Sequence, residues 1–199
     1  MQKIACLSAK LTRAAGMLSK IRHYVPVTTL HNIYFGIFSS LMTYCIQVWG
    51  QTFNKHISRI QRIQNKAIRI INFADFKDAS TPLYHKSKIL KATDHVKLQN
   101  FLHVHSSFKG SLPLPLKDDF QAITDTYSFN TRGATQSKII LPKVRTQNYG
   151  IYSIKYQSAA FWNVIMSEFP EEKLQTKSKF SCKKMITKRI IDGYATAQP

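Results

Sequence analysis

The first 74 residues contain no acidic side chain, against ten lysines and arginines. That stretch therefore cannot supply the carboxylates that hold catalytic metal ions or work as acid–base pairs. Cysteine is scarce: Cys6, Cys45 and Cys182 lie far apart with no CxxC pair. This excludes a disulfide framework and a closed cysteine-rich zinc site. Seven glycines and seven prolines in 199 residues exclude collagen-like and low-complexity architectures. The N-terminus lacks an uninterrupted apolar core, because Lys3, Lys10, Arg13 and Lys20 alternate with apolar residues. A secretory signal is not expected, and an intracellular protein, cytoplasmic or nuclear, is. A mitochondrial presequence would also be basic and acid-free, but the pattern here runs smoothly into the next helix. Residues 33–50 carry no charge over 18 positions, the length of a short membrane span. They include Ser39, Ser40, Thr43 and Gln47, which suits a buried helix of a soluble bundle better, so no membrane partner is expected.

What is present is positive charge and apolar bulk. The formal charge is +19, and 44% hydrophobic content argues for a folded chain rather than a disordered polycation. The charge is uneven: residues 75–128 carry seven basic and six acidic side chains, and residues 173–199 seven and one. Two cationic ends flank a nearly neutral middle. Such ends attract nucleic acid, anionic lipid or an acidic protein surface.

The spacing predicts a mainly α protein: an N-terminal helical bundle, then a small mixed α+β or irregular C-terminal segment. A helical domain over 1–108, a linker over 109–128 and a C-terminal segment over 129–199 are expected. Ile4, Leu7, Leu11, Ala14, Leu18 and Ile21 recur at helical steps from Lys3 to about Tyr24, where Pro26 stops the run. Ala5, Ser8, Thr12, Gly16 and Ser19 form a small-residue side that permits close approach of a neighbour. A second helix is expected over 28–48, capped by Thr28 or Thr29, and a third over 56–72, capped by Asn54. Thr93 or Asp94 caps a helix over 95–107. Residues 111–116, Ser-Leu-Pro-Leu-Pro-Leu, read as an extended linker. Residues 139–141 and 151–156 read as strands, 159–166 as a helix, and 179–191 as a basic terminal helix.

The third helix is the most informative. Lys55, Arg59, Arg62, Lys66 and Arg69 step by four, three, four and three, inside an arc of about 80° at ~100° per residue. Ile57, Ile60, Ala67, Ile68 and Ile71 occupy the opposite side. Unpaired like charges at this spacing disfavour the helix by a few tenths of a kcal/mol per pair, so their anions come from elsewhere. These five, with Lys10 and Arg13, are the candidate nucleic-acid-binding residues.

No catalytic residue is assigned. His103-x-His105 has metal-ligand chemistry, but positions i and i+2 point apart on a helix, and no metal site is expected. Asp118-Asp119 follows Leu-Pro-Leu-Pro-Leu-Lys, not a strand, and reads as a solvated or capping pair. No P-loop, GxSxG or HExxH occurs.

One ordered set of segments resembles a known family. It begins with Ala14 to Pro26 (AAGMLSKIRHYVP), Leu30, Tyr34 and LMTYCIQVWG ending at Gly50. It continues with IQRIQNKAIRII from Ile60 to Ile71, then TPLY from Thr81 to Tyr84, Ile89, Leu90 and Asp94. Asn130-Thr-Arg132, Leu141-Pro142, Arg145-Thr146, Tyr149-Gly150, Ser153-Ile-Lys-Tyr156 and Phe161-Trp-Asn163 follow in order. Together they resemble the region after the polymerase palm in reverse transcriptases of non-LTR retrotransposons, of the jockey and related groups. The chain departs from that family in having Ser158-Ala-Ala160 before Trp162-Asn163, and it holds no Tyr/Phe-x-Asp-Asp element. The resemblance implies a thumb that holds template–primer duplex, here RNA–DNA hybrid or another duplex, with the missing polymerase domains as a further partner. It implies no catalysis by this chain alone and no cofactor in it, since Mg2+ belongs to the palm. Two other readings remain open: a helical module docking on an acidic partner, and a relic without selected function.

Overall fold

The computed structural model describes residues 2–113, 116, 119–123, 138–146, 150–168 and 176–196. The protein is mainly helical, and among the described residues its β-structure is one isolated antiparallel bridge, Ala122 with Ile139. Two compact units divide it: residues 1–95 with 187–199, and residues 96–186. Residues 124–137, with the end of the expected linker and the Asn130-Thr-Arg132 segment, and the residues Leu114, Pro115, Lys117, Asp118 and Tyr149 lie outside the described residues.

In the first unit, α1 (Gln2–Ile21) packs along α5 (Asn54–Ile71). Leu11, Ala14, Ala15 and Leu18 are buried, as their helical spacing requires. Among the described residues the small-residue side is covered only at Ser8. Ala5, Thr12, Gly16 and Ser19 are exposed, only Ser8 of that set is buried, and a Cβ at Gly16 would meet nothing within 4 Å.

The expected second helix is broken. It comprises α2 (Val27–Ile33), a π-helical stretch (Tyr34–Ser39), α3 (Ser40–Thr43) and, after a reversal, α4 (Ile46–Trp49). The wider π turn keeps Tyr34 and Phe38 on the buried side, with rings stacked at 5.2 Å. The continuous helix fails at Tyr44, which is extended, and Cys45, which is left-handed at φ 50°. The buried Trp49 indole donates to the Tyr44 carbonyl at 3.1 Å and holds this reversal. Tyr-x-x-x-Val-Trp-Gly is thus the sequence of a helix break. No helix among the described residues is long and apolar enough to cross a membrane.

The expected caps also shift. Pro26 and Phe53, in extended backbone, precede α2 and α5, so Thr28 and Thr29 lie inside α2 and Asn54 opens α5 as its first helical residue. The unit continues through α6 (Ser80–Ser87) and the start of α7 (Ala92–Phe108).

The second unit is built on the rest of α7, from Val96 onward. Residues 100–107 are buried without a break, so this helix is enclosed rather than amphipathic. Here α8 (Ile154–Glu168) buries Trp162, which stacks on Phe101 at 4.8 Å and 14°. The strand expected over 151–156 is instead the approach to α8 and its first turn. Tyr156 donates its N–H to Ser153 Oγ at 3.2 Å, an entry bond that favours helix. Ile139 is the single bridged residue of the segment expected as a strand over 139–141. Gly150 packs so closely that a Cβ there would lie 2.6 Å from Val144 Cβ. The terminal helix, α9 (Lys179–Thr196), runs five residues beyond the expected end at 191.

Candidate nucleic-acid interface

The basic row of α5 is where helical periodicity places it. Lys55, Arg59, Arg62 and Lys66 are exposed, and Arg69 is half-buried. Ile60, Ala67, Ile68 and Ile71 are buried on the other side of the helix. From Lys55 to Arg69 the row spans about 21 Å at ~1.5 Å per residue. The members are not equivalent. Arg62 Nε reaches back toward the Ser58 carbonyl at 3.4 Å, while Arg69 Nε donates to the Asp78 carbonyl at 2.9 Å. Arg69 is thus partly committed to the turn after α5. Lys10 and Arg13 are exposed on α1, the helix packed along α5.

What fixes the row in space is a polar core under it. Gln64 lies about 180° around α5 from the row's midline and is fully buried. Its Nε2 donates to the Leu90 carbonyl at 2.8 Å and to the Tyr34 hydroxyl at 3.1 Å. Its Oε1 accepts the Ala92 N–H at 2.7 Å. Gln61 Oε1 also accepts that N–H at 2.9 Å, and Gln61 Nε2 donates to the Tyr84 hydroxyl at 2.9 Å. Tyr84 in turn donates to Asn65 Oδ1 at 2.8 Å. Gln61, Gln64 and Asn65 therefore clamp α6 and the chain entering α7, and they keep α5 from rotating about its axis. Burial holds the Tyr34 and Tyr84 phenols far above their ordinary range.

Sequence reasoning missed these three residues. The signal was present: a glutamine at the centre of an otherwise apolar helix face demands a partner for its amide.

A second clasp lies in the other unit. Asn163 Oδ1 accepts the Ile139 N–H at 2.9 Å, and its Nδ2 donates to the Ile139 carbonyl at 2.9 Å. Phe161-Trp-Asn163 is therefore a packing and clasping element, with Trp162 on Phe101 and Asn163 on Ile139.

The histidine pair splits as helix geometry requires. His103 meets the edge of Phe120 at 5.5 Å, whereas His105 Nε2 lies 3.0 Å from the Lys177 carbonyl. Burial lowers the His103 pKa, Asp119 opposes that and Lys179 adds to it. Among the described residues, no three His, Cys, Asp or Glu side chains are placed to hold a metal ion. Asp119 pairs with Lys155 at 3.2 Å. Cys6 and Cys45 are exposed, Cys182 is buried, and none forms a disulfide.

Over 90 residues, 45% of its length, the chain is 31% identical to the probable RNA-directed DNA polymerase from transposon X-element of Drosophila melanogaster. The match covers 10% of that protein, so this chain spans about a tenth of the relative's length. No family model matches the chain, and no solved structure does.

Proposed function

We propose that this chain is the thumb and following segment of a jockey-like non-LTR retrotransposon reverse transcriptase, and that it grips the template–primer duplex through the α5 row. The observation that carries the reading is the row itself: four exposed cations and a half-buried fifth on one rigid helix face. The similarity to a transposon RNA-directed DNA polymerase supports the same class of partner. Duplexes are held mainly through phosphates, by lysine and arginine, with little sequence preference. An RNA–DNA hybrid is close to A-form and is read by shape, which suits a straight row on a helix that cannot turn. Lys10 and Arg13 extend the contact from α1.

In this reading the chain binds and does not polymerise. The carboxylates and the Mg2+ they hold belong to a palm, and no Tyr-x-Asp-Asp occurs among the 199 residues. The remaining polymerase domains are its protein partners, and its place is intracellular, with the element's nucleic acid. The test is the affinity for a blunt RNA–DNA hybrid at several salt concentrations, compared with an acidic protein of equal charge. Tight, salt-steep binding of the hybrid supports the reading. Preference for the acidic protein overturns it.

A further inference from the structure

Just beyond α1 and α5, Arg22 and His23 meet Phe73, a feature the row does not use. Helix α5 closes with the Phe73 N–H on the Ile70 carbonyl at 3.3 Å and the Ala74 N–H on the Arg69 carbonyl at 3.0 Å. This is the Schellman arrangement, whose left-handed position ordinarily takes glycine. Here that position is Phe73, at φ 55°. A phenylalanine there is strained. The strain is not offset by deep burial, since Phe73 remains 44% exposed. Phe76, three residues on, is 86% exposed. Both rings are dressed with cations. The Arg22 guanidinium sits 4.8 Å from the Phe73 centroid, and the Arg69 guanidinium 5.9 Å from that of Phe76. The His23 ring meets Phe73 edge-on at 6.0 Å. Arg22 Nε is buried and has no hydrogen-bond partner among the described residues.

We infer that this corner, Arg22, His23, Phe73, Arg69 and Phe76, is a stacking site for unpaired nucleobases. The inference rests on the reading of the α5 row as a nucleic-acid face. Exposed aromatic rings interleaved with arginine are the chemistry of single-strand binding, where bases stack and guanidinium groups meet phosphates. Continuity selects a nucleic-acid occupant, because Arg69 ends the row and also faces Phe76. A single strand leaving a duplex seated on the row passes over the two rings. The same turn holds Asp75 and Asp78, and the Asp78 carboxylate accepts the Asp75 N–H at 2.7 Å. These acids temper the positive field at the corner, so stacking rather than net charge supplies the affinity there.

The experiment uses the full chain and two RNA–DNA hybrids, one blunt and one with a short single-stranded overhang. The natural chain binds the overhang form more tightly by about tenfold or more, the scale of one stacked base. The double variant Phe73→Gly with Phe76→Ser loses that preference, while its affinity for the blunt hybrid and its salt dependence stay unchanged. Glycine suits the left-handed position, so this variant keeps the helix end. A natural chain that binds blunt and overhang forms equally overturns the corner and leaves the row reading standing. So does a double variant that keeps the preference. A natural chain that binds neither form overturns both. As an independent readout, the fluorescence of Phe76→Trp is quenched by the overhang form and not by the blunt one. Equal response to the two forms overturns the inference.

Discussion

Gln64 accepts the backbone N–H of Ala92 at 2.7 Å, joining positions 28 residues apart in the first unit. The same amide donates to the Leu90 carbonyl and the Tyr34 hydroxyl, so one buried side chain satisfies three groups. The cations on the outer face of α5 keep their direction because this amide fixes the inner face.

Gln64→Leu keeps the volume and removes the amide. The Ala92 N–H retains Gln61 Oε1, but the Leu90 carbonyl and the Tyr34 hydroxyl lose this donor. Leaving buried polar groups unpaired predicts a loss of about 2–4 kcal/mol. Urea unfolding checks it, with the midpoint falling and the slope unchanged.

Asn163 plays the matching part for Ile139, since its amide takes both the N–H and the carbonyl of one residue. Asn163→Ala is expected to cost about 2–3 kcal/mol and to speed amide exchange at Ile139. Asn163→Asp keeps the acceptor but sets a carboxylate oxygen against the Ile139 carbonyl, so it is also expected to destabilise. Equal stability of all three chains would show that the clasp does not hold Ile139.

The lowered pKa of His103 makes acid stability a readout of burial. Its folded pKa lies below the unfolded value of 6.5, so the unfolded state takes up the proton first. The contribution is complete above about pH 6.5 and is lost as pH falls through the folded pKa. Thermal midpoints are expected to fall as the pH drops below about 6.5. His103→Gln flattens that fall, and the partly buried His31, whose pKa burial also lowers, leaves a residual slope.

Much of the first unit is legible in the sequence because α1 and α5 are amphipathic over 20 and 18 residues. A period sustained that long fixes both the helix and its buried face. The row of Lys55 to Arg69 follows from that period alone. Where tertiary contacts decide, periodicity fails. The reversal at Cys45 depends on the Trp49 indole reaching the Tyr44 carbonyl, and apolar residues at 33–50 read the same with or without it. Residues 151–156 alternate like a strand, yet packing of α8 through Trp162 and the entry bond at Ser153 make them the start of a helix. Buried polar partners are the hardest to read, because Gln64 and Asn163 name no partner in the sequence. Of the candidate site, the exposure of the cations is legible, whereas the commitment of Arg69 to Asp78 is not, since it depends on how the turn closes.

In the proposed function the α5 row holds a duplex by its phosphates. The most direct measurement is the slope of log affinity against log salt for a blunt RNA–DNA hybrid. It is taken for the natural chain and for the variant with Lys55, Arg59, Arg62, Lys66 and Arg69 changed to Gln. Each phosphate contact contributes ~0.9 to the slope on B-form duplex, so a steep slope that flattens by about four in the variant is predicted. A flat dependence in the natural chain, or a slope that the five substitutions leave unchanged, would contradict the account.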